Sequence, residues 1–200
     1  MTHFDKKISL QPLDKKYLLA AAEICAQAMH DNPIHVRVFG PATLLRQRRL
    51  RRFFPGLLAY VHRKGSIYGA FSDQELVGVI GMLPPKRCKP SAYEFLRLLP
   101  SLLISNSPIG IVCLAIWLGT WARIDPATPH WHLGPLAVDS AWQGQGIGTQ
   151  LMEFACNKAV NDYLYLETDK LSNVQLYEKF GFVTIATPTI LATPSWVMGR

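Results

Sequence analysis

Residues 141–150 read AWQGQGIGTQ. Gly144, Gly146 and Gly148 occupy every second position, with Gln143 ahead of them and Thr149 behind. An apolar run, Leu133 to Val138, leads into the stretch, and Leu151, Met152, Phe154 and Ala155 leave it at helical spacing. A strand, a turn with this much backbone freedom and a helix share one physical purpose: holding an anion. Glycine lets the backbone come close, and the first N–H groups of a helix point outward at negative charge. Two familiar phosphate patterns fail here. A dinucleotide fingerprint requires glycine three positions after Gly146, where Thr149 stands, and a P-loop requires a lysine that GIGTQ lacks.

Outward from this turn, the elements alternate. A strand at 131–138, a helix at 147–160, a strand at 163–168, a helix at 172–180 and a final strand pair within 182–198 follow from periodicity and turn residues. Upstream, Ile8 and Leu10 suggest an edge strand. A helix begins after Asp14, with Leu18, Ala21, Ala22, Cys25 and Met29 on one face. NPIHVRVFGP reads as a loop. Leu50, Phe53, Phe54, Leu57 and Leu58 line a second helix that Pro55 should kink or divide. Runs at 66–71 and 76–82 form a hairpin turning at Ser72–Asp73, and 91–124 holds two helical segments broken at 106–108. The expected fold is α/β (α+β): one mixed sheet flanked by helices, in a single domain over 1–200, with a helical insertion at about 91–124.

The chain has 200 residues, 49% of them hydrophobic and 18% charged, and a net charge of +7. This composition excludes a disordered chain and suits an anionic ligand. Arg46, Arg48, Arg49, Arg51 and Arg52 read as the solvated side of an amphipathic helix; no aromatic platform is interleaved with them, so a nucleic-acid partner is not expected. The longest uninterrupted apolar piece, Ile111–Leu118, is far shorter than the roughly 20 residues of a spanning helix, and no membrane association is expected. The N-terminal segment has no apolar signal-peptide core. Cys25, Cys88, Cys113 and Cys156 include no C-x-x-C pair, so neither zinc nor redox chemistry is indicated; no metal is expected, and the thiols read as reduced core residues of a cytoplasmic protein.

Gln143, Gly146 and Gly148 satisfy Q-x-x-G-x-G. Together with Asn173, Tyr177 and the terminal YEKFGF, they make residues 130–183 resemble the GNAT superfamily of acetyl-CoA-dependent N-acetyltransferases. PHWHLG, LET, PSWVMGR and the NPIHVRVF segment look similar to the puromycin acetyltransferase-like branch. The resemblance implies that backbone groups of Leu136, Ala137 and Val138 meet the pantetheine arm of acetyl-CoA. It implies that residues Gln143, Gly144, Gln145, Gly146, Ile147, Gly148 and Thr149 surround its pyrophosphate, and that Asn173 hydrogen-bonds the arm. Family members often dimerise, which leaves a homodimer open here.

Acetyl transfer to an amine needs a neutral nucleophile, a donor for the thioester carbonyl and a proton for the departing thiolate. By resemblance, the Val138 N–H faces the carbonyl and Tyr177 protonates sulfur. Two residues compete for the base. His132 lies six positions before Val138 and by alternation shares a strand face with His130, Gly134, Leu136 and Val138; arylalkylamine acetyltransferases, which look similar, carry a histidine there. Glu167 is the rival, on the next strand. The insertion at 91–124 is expected to lie over the acceptor, with residues 30–40 as the opposite wall, and its apolar character points to a small-molecule primary amine attacking directly in a ternary complex. An acyl-CoA sensor without turnover and a peptide or protein N-acetyltransferase are the alternatives.

Overall fold

The computed structural model describes residues 7–200; residues 1–6, part of the N-terminal segment read above, lie outside the described residues. Seven strands form the main sheet. They are β1 (Ile8–Pro12), β2 (Ser66–Ser72), β3 (Glu75–Leu83), β4 (Trp131–Val138), β5 (Leu164–Thr168), β6 (Val183–Ala186) and, last in the chain, β9 (Trp196–Gly199). Their spatial order is β1-β2-β3-β4-β5-β9-β6. Every pair is antiparallel except β4 with β5. A two-stranded ribbon, β7 (Thr189–Ile190) with β8 (Thr193–Pro194), sits between β6 and β9 in the chain. The expected final strand pair is thus two separate pairings, and β9 inserts between β5 and β6.

Helices cover both faces. On one lie α1 (Leu18–Ala28) and α3 (Thr43–Lys64), whose Ala21, Cys25, Leu50 and Phe54 pack with Val79 and Leu83 of β3. On the other, α6 (Ile147–Lys158) and α7 (Leu171–Glu178) bring Leu151, Met152 and Val174 against Ile80, Met82 and Leu166. Strand β3 is buried from Leu76 to Leu83 because both of its faces are covered.

NPIHVRVFGP is not a loop: Pro33–Phe39 form α2. Seven residues are too few to show a helical period, but Pro33 at the first helical position and the positive φ of Gly40 (98°) after the last turn are start and stop signals. Nor does Pro55 divide α3, which runs unbroken from Thr43 to Lys64. Buried Phe53, Phe54 and Leu58 pin both sides of the proline to the core, offsetting the cost of about 3 kcal/mol for an interior proline. The arginine face is only partly solvated. Arg46 is buried, and its guanidinium donates to the carbonyls of His30, Gly40 (2.8 Å) and Pro41 (2.7 Å), stapling α3 to both ends of α2. Arg49 donates to Phe39 O at 2.8 Å, and Arg51 pairs with Glu23 of α1 at 2.7 Å.

The insertion forms α4 (Ala92–Ile104) and α5 (Pro108–Ile124), each opened by a serine cap, Ser91 and Ser107. Glu94 ties α4 to α3 through Arg63 (2.7 Å) and Lys64 (3.3 Å). Trp117 of α5 meets the buried ring of His35 in α2 edge-on at 5.3 Å. Among the described residues no helix is long and apolar enough to cross a membrane. All four cysteines are free thiols; Cys25 and Cys156 are buried, while Cys88 and Cys113 are only half-buried.

Candidate active site

Strands β4 and β5 pair only at their beginnings, Trp131 with Leu164 and His132 with Tyr165. Beyond that point they diverge. On its other side β4 stays paired with β3, but with a shift of register. Ile80 opposes Leu136 and Met82 opposes Leu133, so Gly134 and Pro135 stand against Gly81 alone. This is a β-bulge. The peptide between Gly134 and Pro135 is cis. Gly81 has to be a glycine, because a Cβ there would collide with the carbonyl of Gly134.

The bulge overturns the face expected for His132. One extra residue reverses the alternation. His132 pairs with Leu83 and lies on the α1–α3 face with Ala137, while Leu136 and Val138 pair with Ile80 and Gly78 on the α6 face. Asp139 donates to Val77 O at 2.9 Å. Counting back along the antiparallel ladder, Ala137 directs its amide at β3, whereas Leu136 and Val138 direct theirs into the gap opened by β5.

The turn that opened the sequence follows. Asp139 caps a short 3-10 turn at Ser140–Trp142, with its side chain accepting from Ala141 N at 2.9 Å. Gln143 Nε2 donates to Val138 O at 3.0 Å and Gln145 Nε2 to Ala141 O at 3.2 Å, so both side chains brace the turn. Gly144 (φ 77°) and Gly146 (φ 78°) are left-handed, a conformation that costs other residues about 1–2 kcal/mol. Gly148 is ordinary helix inside α6. Unlike α4 and α5, α6 has no side-chain cap: Gly146 stands at its N-cap, and a Cβ on Gly144 or Gly146 would meet no described atom within 4 Å. An open helix start with free first-turn N–H groups fits a pyrophosphate. The gap beside Leu136 and Val138 fits an extended arm leading away from it.

A sequence model of the acetyltransferase (GNAT) family matches residues 37–182. The chain belongs to the GNAT acetyltransferase family. Acetyltransferases of this family are acyltransferases that use acetyl-CoA. The chain is 31% identical over 85 residues to mycothiol acetyltransferase of Jonesia denitrificans, a match spanning 40% of this chain and 27% of that protein. Among solved structures, histone acetyltransferase HPA2 and related acetyltransferase of Corynebacterium glutamicum superposes with a TM-score of 0.74 at 23% identity, covering 96% of this chain and 95% of that one. Arylalkylamine N-acetyltransferase 2 of Aedes aegypti superposes with a TM-score of 0.58 at 17% identity, covering 97% and 98%. At these identities the structures establish the fold, with its mostly antiparallel sheet and flanking helices.

In this GNAT acetyltransferase, Tyr177 and Asn173 line a pocket of about 90 Å³ between β4 and β5, together with Leu136 and Glu167. Asn173 Nδ2 donates to Thr168 Oγ1 at 3.1 Å. Burial, reinforced by the charge of Asp169, raises the Tyr177 phenol above its usual range and keeps it protonated. Asp169 itself accepts the N–H of Ile34 at 2.7 Å, and Lys170 reaches Asp31 at 2.6 Å. The segment after β5 is thereby fastened to the start of α2.

A second cavity, about 660 Å³, opens on the other side of Gly134, Pro135 and Glu167, which line both. Leu98 and Leu102 of α4, Leu114 and Trp117 of α5, and Ile34 and His35 of α2 line its walls. The insertion and the 30–40 segment therefore face each other across it. His132 and Glu167 also line it, with His132 Nε2 2.8 Å from Glu167 Oε2. Burial alone would lower the His132 imidazole, but the Glu167 carboxylate, with hydrogen bonds to Cys88 and Glu167, overrides it and lifts the pKa to about 10. Glu167 Oε1 is buried with no hydrogen-bond partner among the described residues, as is the Tyr165 hydroxyl.

Several residues around this pair had no signal in the sequence. Asp125 and Tyr165 belong to no motif, Thr168 and Asp169 carry no expected role although Thr168 ends the LET stretch and Asp169 follows it, and their roles arise from the meeting of three segments. Asp169 could have been found only as the partner of a helix start 135 residues away.

Proposed function

We propose that this GNAT acetyltransferase acetylates the primary amine of a small molecule with an apolar body, by direct attack in a ternary complex with acetyl-CoA. The observation that carries the reading is Glu167: it lines a mainly apolar cavity of about 660 Å³, is held by His132 through Oε2, and keeps Oε1 buried with no hydrogen-bond partner among the described residues. That volume lies within the range of about 300–1,000 Å³ common to small-molecule sites. A buried lone acceptor is costly until a donor arrives, and an ammonium group supplies the donor and the charge.

Bound acetyl-CoA supplies the activated acetyl thioester. Glu167 receives the ammonium through Oε1 and takes up the proton that the nitrogen must lose. His132 holds the carboxylate in place and stabilises its charge through Oε2, so the pair works as a unit. The Val138 N–H points to where charge builds on the carbonyl oxygen. Tyr177 gives its phenolic proton to the leaving sulfur as the N–C bond forms and the C–S bond breaks, and the second proton shed by the nitrogen restores the phenol through solvent. The first-turn amides from Ile147 to Thr149 hold the pyrophosphate, with Asn173 beside the arm.

Release of free CoA from acetyl-CoA, measured against alkyl and aryl amines, aminonucleosides, polyamines and peptides, tests the reading. Aminonucleosides stand in the panel for the puromycin acetyltransferase-like features. The expected result is turnover that rises with the apolar area of the amine. Preference for polyamines or for peptide N-termini would overturn it, and tight acetyl-CoA binding with no turnover on any amine would favour a sensor.

A further inference from the structure

Four metal-ligating side chains converge beside the cavity: Cys88 from the loop between β3 and α4, Asp125 just after α5, and His130 and His132 at the start of β4. One ligand atom from each falls within 4.8 Å of all the others. We propose that they form a binding site for a zinc ion, which shares His132 with the acetyl-transfer site.

The donor set is the first argument. A thiol, two imidazoles and a carboxylate make a four-coordinate tetrahedral set for a borderline-soft cation, whereas magnesium and calcium take oxygen ligands. Bond lengths of about 2.0–2.3 Å put tetrahedral ligand atoms roughly 3.5 Å apart. His130 Nε2 and Asp125 Oδ1 are already 3.1 Å apart, so closing the set requires side-chain movements of about 1 Å.

The surroundings are the second argument. Zinc-binding histidines hold their other nitrogen on an acceptor that orients the ring. His130 Nδ1 lies 2.8 Å from Thr128 O, which leaves Nε2 facing Asp125. His132 Nε2 lies 2.8 Å from Glu167, which leaves Nδ1 for the cluster. Lys89 Nζ stands 3.4 Å from Asp125 Oδ2, and the Tyr60 hydroxyl donates to the carbonyls of Arg87 (3.0 Å) and Cys88 (3.3 Å), holding the cysteine loop in place. Binding displaces the thiol proton of Cys88 and the Nδ1 proton of the His132 imidazolium to the solvent as the metal–sulfur and metal–nitrogen bonds form. The absence of a C-x-x-C pair argued against zinc in the sequence, but these ligands come from three separate segments and no local spacing could reveal them.

Chelator-treated protein, with neither amine nor acetyl-CoA present, is titrated with zinc, and bound metal is measured after dialysis. Cobalt(II) serves as the spectroscopic probe. The expected result is one zinc per chain, a melting temperature that rises with zinc concentration, and a cobalt spectrum with tetrahedral d–d bands and a thiolate charge-transfer band. Cys88→Ser should abolish the charge-transfer band, and Cys88→Ser or His130→Asn should weaken zinc binding at least tenfold. Because Cys88 is only half-buried, its serine variant is a mild change, and melting without metal checks its fold. Sub-stoichiometric zinc in the native protein, or affinity unchanged in the folded Cys88→Ser and His130→Asn variants, would overturn the proposal. Neither outcome depends on turnover.

Discussion

His132 Nε2 and Glu167 Oε2 lie 2.8 Å apart, bridging β4 and β5 just past the only point where the two strands pair. The contact closes the lower end of the gap. Above it, the amides of Leu136 and Val138 are free to face an arm. Beside it, the remaining carboxylate oxygen is buried with no hydrogen-bond partner among the described residues.

Removing the charge of Glu167 should therefore disable the chemistry while sparing acetyl-CoA. For Glu167→Gln, kcat/KM for the amine should fall about 100-fold or more, the lower range of acid–base contributions. Calorimetry should show acetyl-CoA affinity within about twofold of wild type. Unchanged kcat/KM would remove Glu167 from the mechanism.

Tyr177→Phe keeps the ring in its buried pocket and deletes only the proton donor. Its kcat should drop by about 100-fold with the KM for acetyl-CoA nearly unchanged. A rise in KM at constant kcat would instead make the phenol a binding group.

Gly146→Ala forces a left-handed φ of 78° on a residue with a Cβ. The variant should lose about 1–2 kcal/mol of stability. It should also bind acetyl-CoA more weakly, since the helix start would relax away from its open conformation. Gly148→Ala, in ordinary helical conformation with a Cβ 3.8 Å from Val138 Cγ2, should be far milder in thermal melts.

Gly81→Ala places a methyl group against the carbonyl of Gly134 in the bulge. Overpacking of this kind costs about 1–3 kcal/mol, and the relief available is a shift of β4 that moves His132. Denaturant melts should show the loss, and kcat should fall more than it does for Gly78→Ala, where the nearest atoms stand back at 3.1 Å (Leu151 Cδ1) and 3.2 Å (Ala137 O and Ile147 Cγ2).

His35 is buried against Phe39, Phe54 and Trp117, and burial lowers its pKa below the usual 6.5 despite the hydrogen bond to Met29 O. Its neutral form adds stability that is fully present above pH 6.5. That stability is lost as the pH falls through the folded pKa, because the unfolded chain takes up the proton first. One such group can tilt stability by at most about 1.4 kcal/mol per pH unit. Unfolding measured from pH 7.5 to 5 should show a shallower decline for His35→Asn than for wild type; parallel curves would contradict it.

Local rules in the chain were enough for the strand–turn–helix around Gly144 and Gly146, the bounds of β4, the break between α4 and α5, and the family. These features are local: period, caps and glycine at left-handed positions act within a few residues of themselves. The sequence also brought His132 and Glu167 forward as rivals for one role. Assembly of the sheet makes them partners across two strands, and a bulge opposite Gly81 turns His132 to the face opposite Leu136. Asp169 at the start of α2, the buried Arg46 staple and the meeting of Cys88, Asp125, His130 and His132 belong to the same class. Strand alternation is a local rule, and one inserted residue inverts it; contacts between distant segments leave no period or spacing in the chain, because burial and pairing choose them only when the sheet is assembled.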